Sequence, residues 1–197
     1  FGMVQPGPDN KDYGWDHTSG YQYNDTILLG FSQTRLSGTG ISEMGDVLLL
    51  PINPKKEQLK NAYYKNTEIG KVGYYALTKK DDVKVELTCS ERVAFHQYTF
   101  PDNGAQVYVD LQHGLRFLFD EQSQQGLVIE SDVKIENNTT ISGFCATQNW
   151  VSRKYYFTIT FDQPFINLNH LDPKPKDKAP KYLLDFTLAN NKILKVK

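Results

Sequence analysis

Between residues 83 and 89 the chain reads Val83-Lys84-Val85-Glu86-Leu87-Thr88-Cys89, apolar and polar in strict alternation. An extended strand puts every second side chain on one face, so this stretch turns one face to a core and the other to water. Comparable runs recur at 94–100, 106–111, 115–119, 127–135, 140–145, 154–161, 182–188 and 192–196, with shorter apolar runs at 47–50 and 73–77. Turn formers part them: Lys79-Lys80-Asp81-Asp82, Pro101-Asp102-Asn103-Gly104 and Glu136-Asn137-Asn138. One strand every 8–12 residues or so, with hairpin-type breaks, predicts an all-β fold, a large antiparallel two-sheet β-sandwich. No segment carries a convincing helical stripe; 54–64 predicts at most a short helix or 3₁₀ turn in a connection. Residues 172–178, charged and proline-rich, read as a solvated loop. Residues 1–5 read as the inside of a strand, so the chain is expected to be cut from something longer. Neither a repeat nor a boundary divides it, and 1–197 is expected to be one sandwich domain.

Charge narrows the partners. Lys plus Arg number 22 against 23 for Asp plus Glu, a formal net charge of -1. Such a balance creates no global field for polyanions, so nucleic acid is not an expected partner. No stretch reaches the ~18 apolar residues of a spanning helix, and no membrane partner is expected. The two cysteines, Cys89 and Cys145, could pair, but read more readily as small buried hydrophobes. Tyr, Phe and Trp make up 13% of residues, most of them expected in the core of a pleated structure.

Templates for catalysis are missing. There is no Gly-rich phosphate loop before a helix, no G-x-S-x-G elbow and no His/Cys cluster at metal-ligand spacing. His96 and His113 read as hydrogen-bonded structural histidines. One region stands out: Gly14-Trp15-Asp16-His17-Thr18-Ser19-Gly20-Tyr21 puts an indole, a carboxylate, an imidazole and hydroxyls into one glycine-bounded loop. An indole offers a flat apolar face to a pyranose, and a neighbouring carboxylate accepts hydrogen bonds from vicinal hydroxyls. Equally, Trp15 could cover the end of the sandwich, with Asp16 as a turn former.

Several phrases, in order, carry a family resemblance: Phe1-Gly2-Met3-Val4-Gln5 with Pro8-Asp9, Gly14-Trp15-Asp16 with Ser19-Gly20-Tyr21, and Gly30-Phe31-Ser32. Leu36-Ser37-Gly38-Thr39-Gly40, Gly45-Asp46 before Leu48-Leu49-Leu50-Pro51, and Glu91-Arg92-Val93-Ala94-Phe95-His96 before Tyr98-Thr99-Phe100-Pro101 follow. Asp110-Leu111-Gln112-His113-Gly114 closes the set. Their order and spacing resemble the amino-terminal β-sandwich domain of glycoside hydrolase family 92, the calcium-dependent exo-acting α-mannosidases. The resemblance is dense over 1–114 and thinner afterwards.

What the resemblance implies is a two-domain inverting enzyme. The sandwich would pack on a carboxyl-terminal (α/α)6 helical domain, which would hold the Glu acid, the Asp base and the calcium ligands. This chain would then contain no catalytic residue and no metal site. It would form part of the wall of a pocket for mannose-containing glycans. Trp15 would be a platform beside the leaving sugar, with Asp16, His17, Thr18 and Arg35 as further substrate-binding candidates. Family habit implies a periplasmic or extracellular bacterial location. The chain departs from the family's pattern at Thr18 (usually Cys) and at Gln22, Gln33 and Arg35 (usually His). Those three would alter recognition if they face the pocket, and matter less if they stand behind it. Two other classes remain open: a free-standing carbohydrate-binding sandwich, and a purely structural sandwich.

Overall fold

A computed structural model describes residues 3–36, 40–116, 128–174 and 177–197. Fourteen strands appear among them: β1 (Gly7–Asp9), β2 (Gly30–Ser32), β3 (Leu48–Ile52), β4 (Ile69–Lys71), β5 (Tyr74–Thr78), β6 (Lys84–Cys89) and β7 (Ala94–Thr99) in the first half. The second half has β8 (Gly104–Asp110), β9 (Val128–Asn137), β10 (Thr140–Gln148), β11 (Ser152–Thr160), β12 (Phe165–His170), β13 (Lys181–Thr187) and β14 (Ile193–Val196). The only helical elements among the described residues are short 3₁₀ turns, one of them at Pro54–Leu59 inside the segment expected to hold one.

The alternation at 83–89 sets the inward face of β6. Val83, Val85 and Leu87 are buried, and Val85 and Leu87 lie opposite Tyr98 and His96 of β7. β8 and β13 obey the same rule, with Ala105, Val107 and Val109 facing Phe186, Leu184 and Tyr182 across the ladder. These fourteen strands pair antiparallel throughout. One sheet has six strands, ordered β1-β2-β3-β8-β13-β12; the others are β14-β7-β6-β5-β4 and β11-β10-β9.

The expectation of two sheets is thus realised with three, for a visible reason. The end of β11 meets β14 through a Phe161–Val196 bridge and reciprocal bonds between Thr160 and Lys197, among the described residues only at this corner. The three- and five-stranded sheets therefore form one interrupted layer facing the six-stranded sheet. A single core cluster joins all three, from Phe31, Val107 and Leu184 through Val85 and Tyr98 to Ile141 and Ile159.

Two other expectations need correction. Met3 to Gln5 do not form a strand: Met3 N–H donates to Glu91 O and Gln5 N–H to Gln33 O. The segment thus touches two different elements without running beside either; residues 1–2 lie outside the described set. The expected strand at 115–119 starts with Leu115 bonded to Met44 O and Arg116 in an isolated bridge to Tyr13, with no ladder. Its remainder lies outside the described residues. Cys145 is buried, as a small hydrophobe should be, but Cys89 is exposed at the end of β6, and both are free thiols. Aromatic residues divide more evenly than expected: Phe31, Tyr98, Phe161 and Phe186 are core, whereas Trp15, Tyr23, Trp150 and Tyr156 are exposed.

Candidate functional site

The β1–β2 connection carries the Trp15 loop, and its base is built from ions. Asp9, fully buried at the end of β1, meets Arg35 at 2.7 Å and His113 at 2.8 Å; the Arg35 and His113 side chains are each 7% exposed. Burial acts to raise the Asp9 carboxyl, but Arg35 and His113 outweigh it and hold its pKa below the ordinary value. Burial likewise acts to lower His113, and Asp9 reverses that, so the imidazole titrates above its usual range. Arg35 also donates to the carbonyls of Gly7, Pro8 and Ser19, tying β1 to the far limb of the loop.

Gly20 closes this base with a left-handed φ of 80°. A Cβ there would lie 2.0 Å from Asp9 Oδ1, so only glycine leaves room for the ion pair. Asn10 completes the clamp: its N–H donates to Gly20 O, its amide to Ile27 O, and its Oδ1 accepts from Gln22 N–H.

Above the base, Trp15–His17 forms a 3₁₀ turn opened by Gly14 at φ 99°. The turn lifts Trp15 to 59% exposure with its ring against Gly40, and leaves Asp16 exposed beside it. His17 points back and pairs with Asp25 at 2.6 Å, which fixes the turn from below. Thr18 is half-buried on the loop's other flank.

That flank borders a cleft of about 710 Å³ between the loop and the β4–β5 hairpin. Of the five residues predicted from the sequence, Thr18 and Arg35 line this cleft, while Trp15 and Asp16 stand outside it on the crest of the turn. Sequence reasoning missed its principal groups: Tyr21, Tyr23, Lys65, Glu68 and Tyr75. The phrase Tyr21-Gln22-Tyr23 was a visible signal, but nothing in the sequence linked it to the 3₁₀ turn Lys65–Thr67 or to β5. Trp150 was missed as well. It is 60% exposed, and its backbone N–H donates to the buried Glu43, which lies beside the Arg153–Asp46 pair.

Of the four departures from the family pattern, Thr18 and Arg35 line the cleft, while Gln22 and Gln33 are half-buried and tie neighbouring segments together. Gln33 donates to Phe31 O and Val47 O and accepts from His96, joining β2 to the β3 approach and to β7. His96, wholly buried, also bonds Tyr98, and burial lowers its pKa to about 3. Gln22 bonds the Asn24 N–H locally. Among the described residues no group of three or more His, Cys, Asp or Glu comes together to hold a metal ion.

The structure resembles that of the family GH92 α-mannosidase BT3965 from Bacteroides thetaiotaomicron, solved alone and in complex with mannoimidazole. In both cases the TM-score is 0.82 and the identity 27% over 99% of this chain. The inverting mannosidase BT2199 from Bacteroides thetaiotaomicron VPI-5482 shares the fold at TM-score 0.75 and 19% identity, again over 99% of the chain. The chain spans 28% and 29% of the two BT3965 structures and 26% of that of BT2199. No curated protein matches the chain. The model of the glycosyl hydrolase family 92 N-terminal domain matches residues 1–197 from end to end, and the chain belongs to that family.

Proposed function

We propose that residues 1–197 are the non-catalytic amino-terminal sandwich of an inverting exo-α-mannosidase, and that they shape its substrate pocket. In this reading the catalytic Glu and Asp and the calcium ion belong to a carboxyl-terminal (α/α)6 domain, and the enzyme removes terminal mannose from glycans in the periplasm or at the cell surface of a bacterium. The observation that carries the reading is a family match over the full length, joined to a 27% identical fold in an α-mannosidase that binds mannoimidazole. The described residues offer calcium no cluster of ligands, so no step is assigned to the ion on this chain.

The pocket-wall role draws on the geometry of the Trp15 turn. A tryptophan 59% exposed on a loop fastened by Arg35, Asp9 and His17 is an apolar face held ready, at little further entropic loss on binding. Asp16 beside it supplies an acceptor for sugar hydroxyls.

The test is α-mannoside hydrolysis by the complete polypeptide that contains this chain, with and without a calcium chelator, and with Trp15→Ala. Expected are chelator-sensitive turnover and a loss of about tenfold in kcat/KM for Trp15→Ala, the worth of one stacking face. No turnover by the complete protein would refute the reading.

A further inference from the structure

The cleft beside the Trp15 turn has a chemistry of its own. Lys65 Nζ lies 2.5 Å from Glu68 and 2.9 Å from the Tyr21 hydroxyl, and Tyr75 donates to the other Glu68 oxygen at 2.5 Å. The Lys65 ammonium also sits 4.2 Å from the centre of the Tyr23 ring and 5.0 Å from that of Tyr21. Three tyrosines thus surround one ion pair, held between the β1–β2 loop and the five-stranded sheet.

We propose that this cleft is a carbohydrate subsite that takes one neutral sugar ring of a glycan, separate from the Trp15 platform. The Lys65 and Glu68 charges cancel, so a phosphate or an ammonium ligand would leave one charge unbalanced in a half-enclosed site. The aromatic box is no vacant cation site either, because Lys65 already fills it.

A carboxylate accepts about four hydrogen bonds, and Lys65, Tyr75 and Tyr21 use three of those on Glu68. The Tyr21 oxygen accepts from Lys65, and its own proton is directed to Glu68. What remains is one acceptor position on Glu68 and the Thr18 hydroxyl on the cleft wall, beside an exposed tyrosine face, Tyr23 at 71% exposure. Vicinal hydroxyls on a ring with C–H faces satisfy all three. At about 710 Å³ the cleft has the size of small-molecule sites, and its ion pair and hydroxyls are already positioned. The choice of mannose as the sugar rests on the function proposed above; the subsite itself rests on the cleft.

The test is amide and indole NMR of the 197-residue chain titrated with methyl α-mannoside and α-linked mannobiose. Saturable shifts are expected at Tyr21, Tyr23, Lys65 and Glu68, with a Kd on the order of 1 mM for a single ring. Tyr23→Ala should weaken binding about fivefold, as loss of a stacking face does. Because Tyr23 is so exposed, its removal leaves the fold intact. Glu68→Gln should weaken binding with the same sugars while the melting temperature is monitored, and Trp15→Ala should leave the cleft shifts unchanged. Inorganic phosphate and tetramethylammonium should not compete. Shifts confined to the Trp15 loop, no saturable shift, or displacement by either ion would overturn the proposal. An enzyme that cleaves α-mannosides while the cleft stays silent defeats this inference alone; a cleft that binds sugar in an inactive enzyme defeats the hydrolase reading alone.

Discussion

Replacing Asp9 by Asn tests the ionic base of the Trp15 loop, and it does so through the sign of a pH dependence. In the wild-type chain a fully buried carboxylate faces two cationic partners, Arg35 and His113. The amide keeps the shape and removes the charge, leaving Arg35 and a protonated His113 buried without a counter-ion. Breaking a buried pair in this way costs about 3–5 kcal/mol. For a domain of this size that is a fall of about 6–20 °C in Tm.

The pH dependence is sharper. His113 has a folded pKa above its ordinary 6.5, so the folded state holds this proton more tightly. Its contribution is fully present below pH 6.5 and fades as pH rises through the folded value. Without the Asp9 charge, burial becomes the dominant influence on His113 despite Asp110 and Asp12, and the direction reverses. The variant should then lose stability as pH falls through 6.5, where the wild type gains it from this group. Asp9 itself, held below its ordinary 3.8, contributes above that pH and is lost as pH falls through its folded value. Every tenfold change in the proton affinity of His113 between the unfolded and folded chain is worth about 1.4 kcal/mol. Buried His96, lowered to about 3, makes both proteins less stable in acid and cancels in the difference. Urea unfolding of both proteins at several points between pH 5.5 and 8.5 measures the gap, which should be widest at the acid end. A gap below about 1 kcal/mol, or one constant across that range, would refute the ionic account.

Two further outcomes follow from the same geometry. Gly20→Ala places a methyl 2.0 Å from Asp9 Oδ1 at a left-handed φ, so it should cost about 3 kcal/mol or more in urea unfolding. The loss should shrink in the Asp9→Ala background, where the clash with Asp9 is gone and only the 2.8 Å approach to Arg35 Nη1 and the left-handed φ remain. With iodoacetamide, mass spectrometry should find Cys89 alkylated in the folded chain and Cys145 protected until denaturant is added; Cys145 is buried and burial pushes its thiol up to about 11.

Strands whose two faces meet different media could be read from residue order. The alternation at 83–89 became β6 with Val85 and Leu87 inward, and Tyr182, Leu184 and Phe186 mark the inward face of β13 in the same way. Three of the four strands that escaped notice lack that contrast; the fourth, β12, alternates at Ile166-Asn167-Leu168-Asn169 but leaves Ile166 exposed. β1 and β2 are three-residue strands buried throughout, and β4, Ile69–Lys71, is exposed throughout, so none shows period-two contrast. Their strand character comes from the ladder of a neighbour, a property of position and not of side chain. The isolated Leu115 and Arg116 contacts make the converse point, since apolar residues without a partner strand form no ladder.

The site divides along the same line. Residue order alone determined that an indole, a carboxylate and an imidazole share one short glycine-bounded loop, because neighbours in sequence are neighbours in space whatever the fold. It also carried the family, through many short phrases in register. Only the tertiary structure decided that Arg35 and His113 converge on Asp9, 26 and 104 positions away in sequence, and turn the loop base into a buried ionic knot. It alone brought Tyr21 and Tyr23 to Lys65, Glu68 and Tyr75. Such meetings depend on how the two layers stack and where their connections cross, and hydrophobic alternation records which face of a strand is buried without recording which loop lies over it.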